Sequence, residues 1–261
     1  MDTSRAHAHW ERVLRAGEVD QAYYADRAEL PGVTLFTSQR RDAPEFDLAV
    51  IHRVPSGDAD AVLAAIVRHY RGRGGRPRVR LTPLSTPRDW PERLRRSGFV
   101  ETAERHVYIE LPATARLPVN PEVVVRRATT PEDADCFSAI LVAGYGVPVA
   151  HQAWDRALAR RHLAAGGRNF YLAWIDGQAV GAASSVHQPG GVTSLYVLTT
   201  LPAARQRGVA TSLLARMVGD ARAAGSRAVV GVTDPAGAPI GLYERLGFVR
   251  LFEVRTFLQQ G

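Results

Sequence analysis

Between Val123 and Phe257 short apolar runs of strand character alternate with stretches of helical periodicity, and this alternation confines the chain to an α/β layer architecture. Val123 to Arg127 reads as a strand. Thr130, Pro131, Glu132 and Asp133 supply a hydroxyl cap, a first-turn proline and early acids, the start of a helix through Phe137, Ile140, Leu141 and Ala143. Two β-rich runs, Phe170 to Ile175 and Ala179 to His187, flank Asp176-Gly177, a dipeptide suited to a tight hairpin. Thr193 to Thr199 reads as the next strand and Val209 to Ala223 as a helix. Ala228 to Thr233 reads as a strand, Ile240 to Leu246 as a short helix, and Phe248 to Phe257 as closing strands.

The stretch Leu111 to Pro121, LPATARLPVNP, carries three prolines and no periodicity, so it separates a first domain (1–111) from a second (122–261), with 112–121 as linker. A second glycine-rich stretch, Arg71 to Pro77, follows a helical pattern at Ala61, Val62, Ala65, Ile66 and His69. It reads as a helix end entering a strand.

Composition narrows the function classes. The 261 residues are 46% hydrophobic and 23% charged, enough to bury a core, which excludes wholesale disorder. The 33 basic residues against 26 acidic ones give a net charge of +7, but every basic residue is arginine. The absence of lysine points to codon bias, so the charge argues only weakly for a polyanionic partner. Cys136 is the only cysteine, which excludes an internal disulfide and a thiolate-rich zinc site, and no metal is expected. No apolar run reaches the roughly 20 residues of a membrane helix. Met1 to His9 has no apolar stretch of an export signal, so the expected location is cytoplasmic.

Chemistry is concentrated between the strand ending near Thr199 and the helix beginning near Val209. Leu201 to Thr211, LPAARQRGVAT, puts arginine and glycine just ahead of a helix N-terminus, where unpaired N–H groups and the helix dipole favour an anion such as a pyrophosphate. Gly208 permits close approach of the backbone, and Ala210 is too small to obstruct it.

Arg205-x-x-Gly208-x-Ala210, with Pro202 three residues ahead of Arg205, resembles the Q/R-x-x-G-x-G/A signature of GNAT-superfamily N-acetyltransferases. Leu242-Tyr243-Glu244-Arg245-Leu246-Gly247-Phe248 is similar to the tyrosine-bearing helix and following strand of that family. The resemblance covers residues 123 to 261. It implies a mixed, mostly antiparallel sheet flanked by helices, and an acetyl-CoA or other acyl-CoA donor. The pyrophosphate would lie on the amides of Arg205, Gln206, Arg207, Gly208, Val209, Ala210 and Thr211, and the pantetheine arm along Leu198, Thr199 and Thr200. A backbone N–H at a bulge in that strand would polarise the acyl carbonyl, and Tyr243 would protonate the leaving thiolate. In this family the region after the first helix, here Tyr145, Gly146, His151 and Trp154, lines the acceptor pocket.

Two departures from the family pattern leave the general base open. The turn Asp234-Pro235-Ala236-Gly237-Ala238-Pro239 lacks the usual asparagine, and Thr193 to Leu198 carries no carboxylate. Asp234 or a chain of waters takes the proton from the amine. Each site residue also has a plainer reading: Arg205 and Arg207 as solvated loop residues, Tyr243 as a core tyrosine, His151 as a surface histidine, and Cys136 as a small buried hydrophobe instead of a nucleophile.

Residues 92–100, ERLRRSGFV, align with 241–249, GLYERLGFV, on a shared Gly-Phe-Val, so the first half reads as a second, shortened GNAT-like copy. Leu94 stands where Tyr243 stands. The corresponding loop, Val54 to Asp60, lacks the signature and sets two acids at the helix start, which repel a pyrophosphate. The run Arg68, Arg71, Arg73, Arg76, Arg78 and Arg80 reads as a solvated face before a phosphate-binding one. Apart from Tyr70 no Phe, Trp or Tyr is interleaved with it, too little for a stacking platform, which weighs against a nucleic-acid binder.

The sequence thus points to an enzyme moving an acyl group from acyl-CoA to a primary amine of a small molecule by direct attack. Three alternatives remain open: a donor arm carried as acyl-phosphopantetheine by an acidic acyl carrier protein, a CoA-sensing regulator, and a nucleic-acid-binding module.

Overall fold

A computed structural model describes residues 3–260 apart from Arg41, Ala113 and Pro189. In chain order the first half holds α1 (Thr3–Gln21), β1 (Ala25–Leu30), β2 (Val33–Ser38), β3 (Leu48–Arg53), α2 (Ala59–Arg71), β4 (Arg78–Thr86), α3 (Trp90–Arg96) and β5 (Phe99–Leu111). The second half holds β6 (Val124–Arg127), α4 (Pro131–Tyr145), α5 (Val149–Ala165), β7 (Arg168–Ile175), β8 (Gln178–Gln188) and β9 (Val192–Thr200). It continues through α6 (Val209–Ala223), β10 (Ala228–Thr233), α7 (Ala238–Arg245) and β11 (Val249–Gln259).

The chain packs as two compact units, and their division is not the one expected at the proline-rich linker. Residues up to Ile109 form the N-terminal unit together with Val232–Tyr243 and everything from Arg250 on. Glu110–Gly231 and Glu244–Val249 form the other. The expected domain 122–261 is therefore split, and its closing strands are one strand, β11, in the sheet of the N-terminal unit.

The physical reason lies in that sheet, whose order is β1-β2-β3-β4-β11-β5. β11 runs antiparallel to β4, with Arg255 opposite Leu81 and Phe257 opposite Val79. Phe257 is 0% exposed and packs among Ile51, Ile66, Tyr70, Trp90, Leu94 and Phe99. Arg255 adds a fork to Glu101 on β5, at 2.8 and 2.6 Å. Ladder bonds and a buried aromatic outweigh the short separation in sequence from the second half.

The internal repeat is visible in local structure. α3 and α7 each lead through a glycine of positive φ, Gly98 (+79°) and Gly247 (+88°), into a long strand. The turn from helix into strand needs the left-handed region there, which glycine enters without a Cβ penalty.

The C-terminal unit carries the sheet order β10-β9-β8-β7-β6, antiparallel except for the parallel pair β9/β10. Asp176 and Gly177 both take positive φ in the β7–β8 hairpin. Thr130 and Asp133 close a reciprocal capping box at the start of α4. One sheet face meets α6: a Cβ on Gly181 would fall 2.5 Å from Val209 Cγ1 and 3.1 Å from Leu213 Cδ1, so only a glycine admits the helix this close. The other face meets α4, where Phe137 packs edge-on against Phe170.

The placement of β11 makes a stability prediction. Phe257→Ala empties a fully buried ring position and costs about 3–5 kcal/mol. Chemical denaturation followed by circular dichroism should show a lowered midpoint, and an unchanged midpoint would place β11 outside the N-terminal core.

Candidate functional site

The expected phosphate loop and pantetheine strand lie together in the C-terminal unit. β9 pairs with β8 along its length but with β10 only from Val192 to Ser194. Among the described residues the β10 side of β9 carries no ladder beyond Ser194, and its backbone at Leu198, Thr199 and Thr200 lies on an edge that another extended chain can pair with. Val197 is an extra residue in this strand. Ala183 pairs with Leu198 while Ser184 pairs with Tyr196, so the register slips by one. Its φ is +49°, a strained position for a β-branched residue, costing roughly 1–3 kcal/mol.

After β9, Pro202–Ala204 form a single 3₁₀ turn, Gln206 takes φ +62° and Gly208, at φ +73°, is the cap of α6. No side chain caps this helix. Its first internal bond runs from Ser212 N–H to Gly208 O (3.0 Å), so the amides of Val209, Ala210 and Thr211 project from the N-terminus without an intrahelical acceptor. Arg205, Gln206 and Arg207 are exposed around them. Backbone donors at a helix N-terminus, with arginines in the loop before it, form a cradle of the kind that suits an anion.

Asn120, read from the sequence only as part of the linker, holds the cradle in shape. Its Nδ2 donates to Arg207 O (2.9 Å), its backbone N–H donates to Ser212 Oγ (3.1 Å), and its Oδ1 accepts from Glu122 N–H (3.0 Å). A Cβ on Gly208 would stand 3.1 Å from Asn120 Cβ. The Asn-Pro-Glu run was the available signal, because an asparagine accepting from the amide two residues on makes an Asx turn.

Of the expected acceptor residues, Tyr145 approaches β9. Gly144 lies so close to that strand that a Cβ would fall 1.9 Å from Thr199 Oγ1, and the next residue's Oη reaches Leu198 O at 3.5 Å. The Tyr145 residue is 59% exposed, but its hydroxyl end is turned inward, and desolvation pushes its pKa up. His151 and Trp154 lie on α5, a helix the sequence reading did not anticipate. A cavity of about 420 Å³ between α4 and α5 is lined instead by Ser138, Val142, Gly146, Gln152 and Arg156 among others.

Tyr243 and Asp234 belong to the N-terminal unit. Tyr243 is half-buried on α7. Asp234 is exposed, and its Oδ1 accepts from Ala236 N–H at 2.8 Å, so part of its carboxylate is engaged in its own turn. Cys136 is half-buried, and burial together with the Asp133 charge raises its thiol pKa, the opposite of what a nucleophile needs. Among the described residues no group of three His, Cys, Asp or Glu could hold a metal ion. In the first copy, Asp60 sits in the first turn of α2 and pairs with Arg93 at 2.8 Å, so the start of that helix already carries its own anion.

Residues 135–248 match the acetyltransferase (GNAT) family. A GCN5-related N-acetyltransferase from Kribbella flavida has a similar structure at TM-score 0.73 and 16% identity, covering 96% of this chain and 95% of that one. A tandem GNAT protein from the clavulanic acid biosynthesis pathway is similar at TM-score 0.64 and 16% identity over 87% of this chain and 77% of that one. A GCN5-related N-acetyltransferase from Sphaerobacter thermophilus follows at 0.61 and 16% over 87% and 76%. At these identities the likeness is one of fold. No curated protein matches the sequence.

The cradle makes a prediction that separates the two copies. Gly208→Val forces a β-branched residue into positive φ against Asn120 and should abolish the calorimetric heat of acetyl-CoA binding. Gly57→Val, with nothing within 4 Å of the added Cβ, should leave it intact. Equal loss from both would contradict a single site.

Proposed function

We infer, from the premise that this chain carries a GNAT-family acetyltransferase domain at residues 135–248, that it is an enzyme transferring an acyl group, most simply acetyl, from acyl-CoA to a primary amine of a small molecule. The observation that carries this reading is the adjacency, within one unit, of a bulged strand with an open edge and an uncapped helix N-terminus. The residues fit the donor: the edge takes an extended amide-bearing arm, and the cradle takes a pyrophosphate close to the backbone at Gly208.

When bound, the donor supplies an acyl group activated as a thioester. The amides of Val209, Ala210 and Thr211 hold the pyrophosphate together with Arg205 and Arg207, and Leu198, Thr199 and Thr200 align the arm. The Val197 N–H donates to the acyl oxygen, where negative charge grows as the amine attacks. The Tyr243 hydroxyl gives its proton to the departing sulfur, and Asp234, directly or through water, takes the proton that the amine must lose. Tyr145, His151 and Trp154 contact the acceptor. A phosphopantetheine arm on an acidic carrier protein has the same amides and the same thioester, so it is an alternative donor for the same edge. Release of free thiol from acetyl-CoA in the presence of a panel of small amines tests the reading. Binding of CoA without turnover from either donor would favour a sensor.

The role of Tyr243 has its own test. Tyr243→Phe keeps the ring and removes the acid, so turnover at saturating donor and acceptor should fall by about 10² to 10⁴ while acetyl-CoA affinity and the melting temperature hold. Nearly full turnover would make Tyr243 a packing residue.

A further inference from the structure

Val197 is strained, and nothing in the Arg205–Ala210 signature explains what keeps it so. The support comes from β7 and β8. Ser184, 1% exposed, stands opposite Tyr196 across the β8–β9 ladder, and its Oγ donates to Tyr196 O at 3.0 Å. The same Oγ accepts from Arg168 Nη1 at 3.1 Å. Arg168, 7% exposed at the start of β7, also lays its guanidinium 5.1 Å from the centroid of the Tyr196 ring.

These contacts have only one polarity. A guanidinium can only donate, so Ser184 Oγ accepts from it, and the single hydroxyl proton is left to point at Tyr196 O. In a planar trans peptide the C=O and the N–H point in opposite directions. Holding Tyr196 O toward β8 therefore turns the Val197 N–H away from β8, to the side on which pairing with β10 has ended at Ser194. On the far side of the bulge the Tyr145 hydroxyl reaches Leu198 O, so the carbonyls before and after Val197 are both tied by side-chain donors.

We propose that Arg168 and Ser184 are positioning residues, acting in series through the Tyr196 carbonyl to aim the Val197 N–H at the acyl oxygen of the donor. The proposal rests on the acyl-CoA reading of β9 and assigns its aim to two residues that lie outside the expected site. The two act as a unit: without Arg168 the Ser184 hydroxyl is free to rotate, and without Ser184 the peptide between Tyr196 and Val197 loses its anchor.

The test reads the carbonyl itself. Infrared difference spectra of acetyl-CoA carrying a ¹³C carbonyl report the polarisation of the bound thioester, a property that general stability of the sheet does not move. With the unaltered protein the carbonyl band should lie at lower wavenumber than for acetyl-CoA in water. Ser184→Ala should return it most of the way, with affinity for CoA, which has no acyl group, unchanged, and with turnover of any accepted amine down by up to roughly 10². Arg168→Met should do the same, and Arg168→Lys, which keeps a donor for Ser184, should recover part of the shift. Where Arg168→Met does not fold, Ser184→Ala, which removes a single hydroxyl, decides. An S184A protein that binds acetyl-CoA with the carbonyl band of the unaltered protein overturns the inference alone. An unaltered protein that binds no acetyl-CoA overturns the cofactor reading and this inference with it.

Discussion

The pairing of β9 with β10 ends at Ser194, and what the C-terminal unit offers a ligand depends on that divergence. A strand paired on both edges presents no backbone groups, whereas from Leu195 onward β9 keeps the β8 ladder on one side and leaves the other edge open. The bulge at Val197 falls within this open stretch, and the strand then leads directly into the loop before α6. One discontinuity in a ladder thus brings an open strand edge, a bulge and a helix N-terminus into one stretch of chain. Gly144 and Gly181 allow α4 and α6 to close on the two faces of the sheet, so the opening is confined to the edge.

Electrostatics separates arginines that hold the fold from those free to meet an anion. Arg93, Arg160 and Arg255 are engaged with Asp60, Asp135 and Glu101. Arg205 and Arg207 lie on an exposed loop, and Arg207 meets the Asp176 carboxylate at 3.9 Å, a long contact between exposed groups. Arg168 is a different case. Burying a guanidinium costs several kcal/mol unless it is hydrogen-bonded and stacked, and a cation over an aromatic face returns about 2 kcal/mol when desolvated. Arg168 meets both conditions, through Ser184 Oγ at 3.1 Å and the face of the Tyr196 ring at 5.1 Å.

The N-terminal copy has kept the scaffold and lost the cradle. Its sheet, its helix-to-strand glycine turn and its core around Trp90 and Leu94 persist, while the start of α2 carries the acids Asp58 and Asp60 where α6 starts with Gly208 and Ala210. Its sheet also takes in β11, so the last strand of the chain completes the sheet of the first half.

Local signals determined much of this in advance. The hydroxyl cap at Thr130, the Asp176-Gly177 hairpin, the span of α6 and the strand Ala228–Thr233 follow from periodicity and capping chemistry, which act within a few residues. The Gly208 cap and the start of α6 were legible for the same reason, since capping acts within one turn. α5 was not legible: it buries only Asp155, Leu158 and Ala159 among its described residues, too few to print an apolar stripe on the sequence. Nor could the sequence place β11, because a strand's partner is set by which edge and which core will accept it, and Phe257 fits the pocket formed by Ile66, Trp90 and Phe99 more than 150 residues away. The same holds for Asn120, Ser184 and Arg168. Each is an ordinary polar residue in the sequence, and only tertiary structure brings its donors to the carbonyls that shape the loop and the bulge.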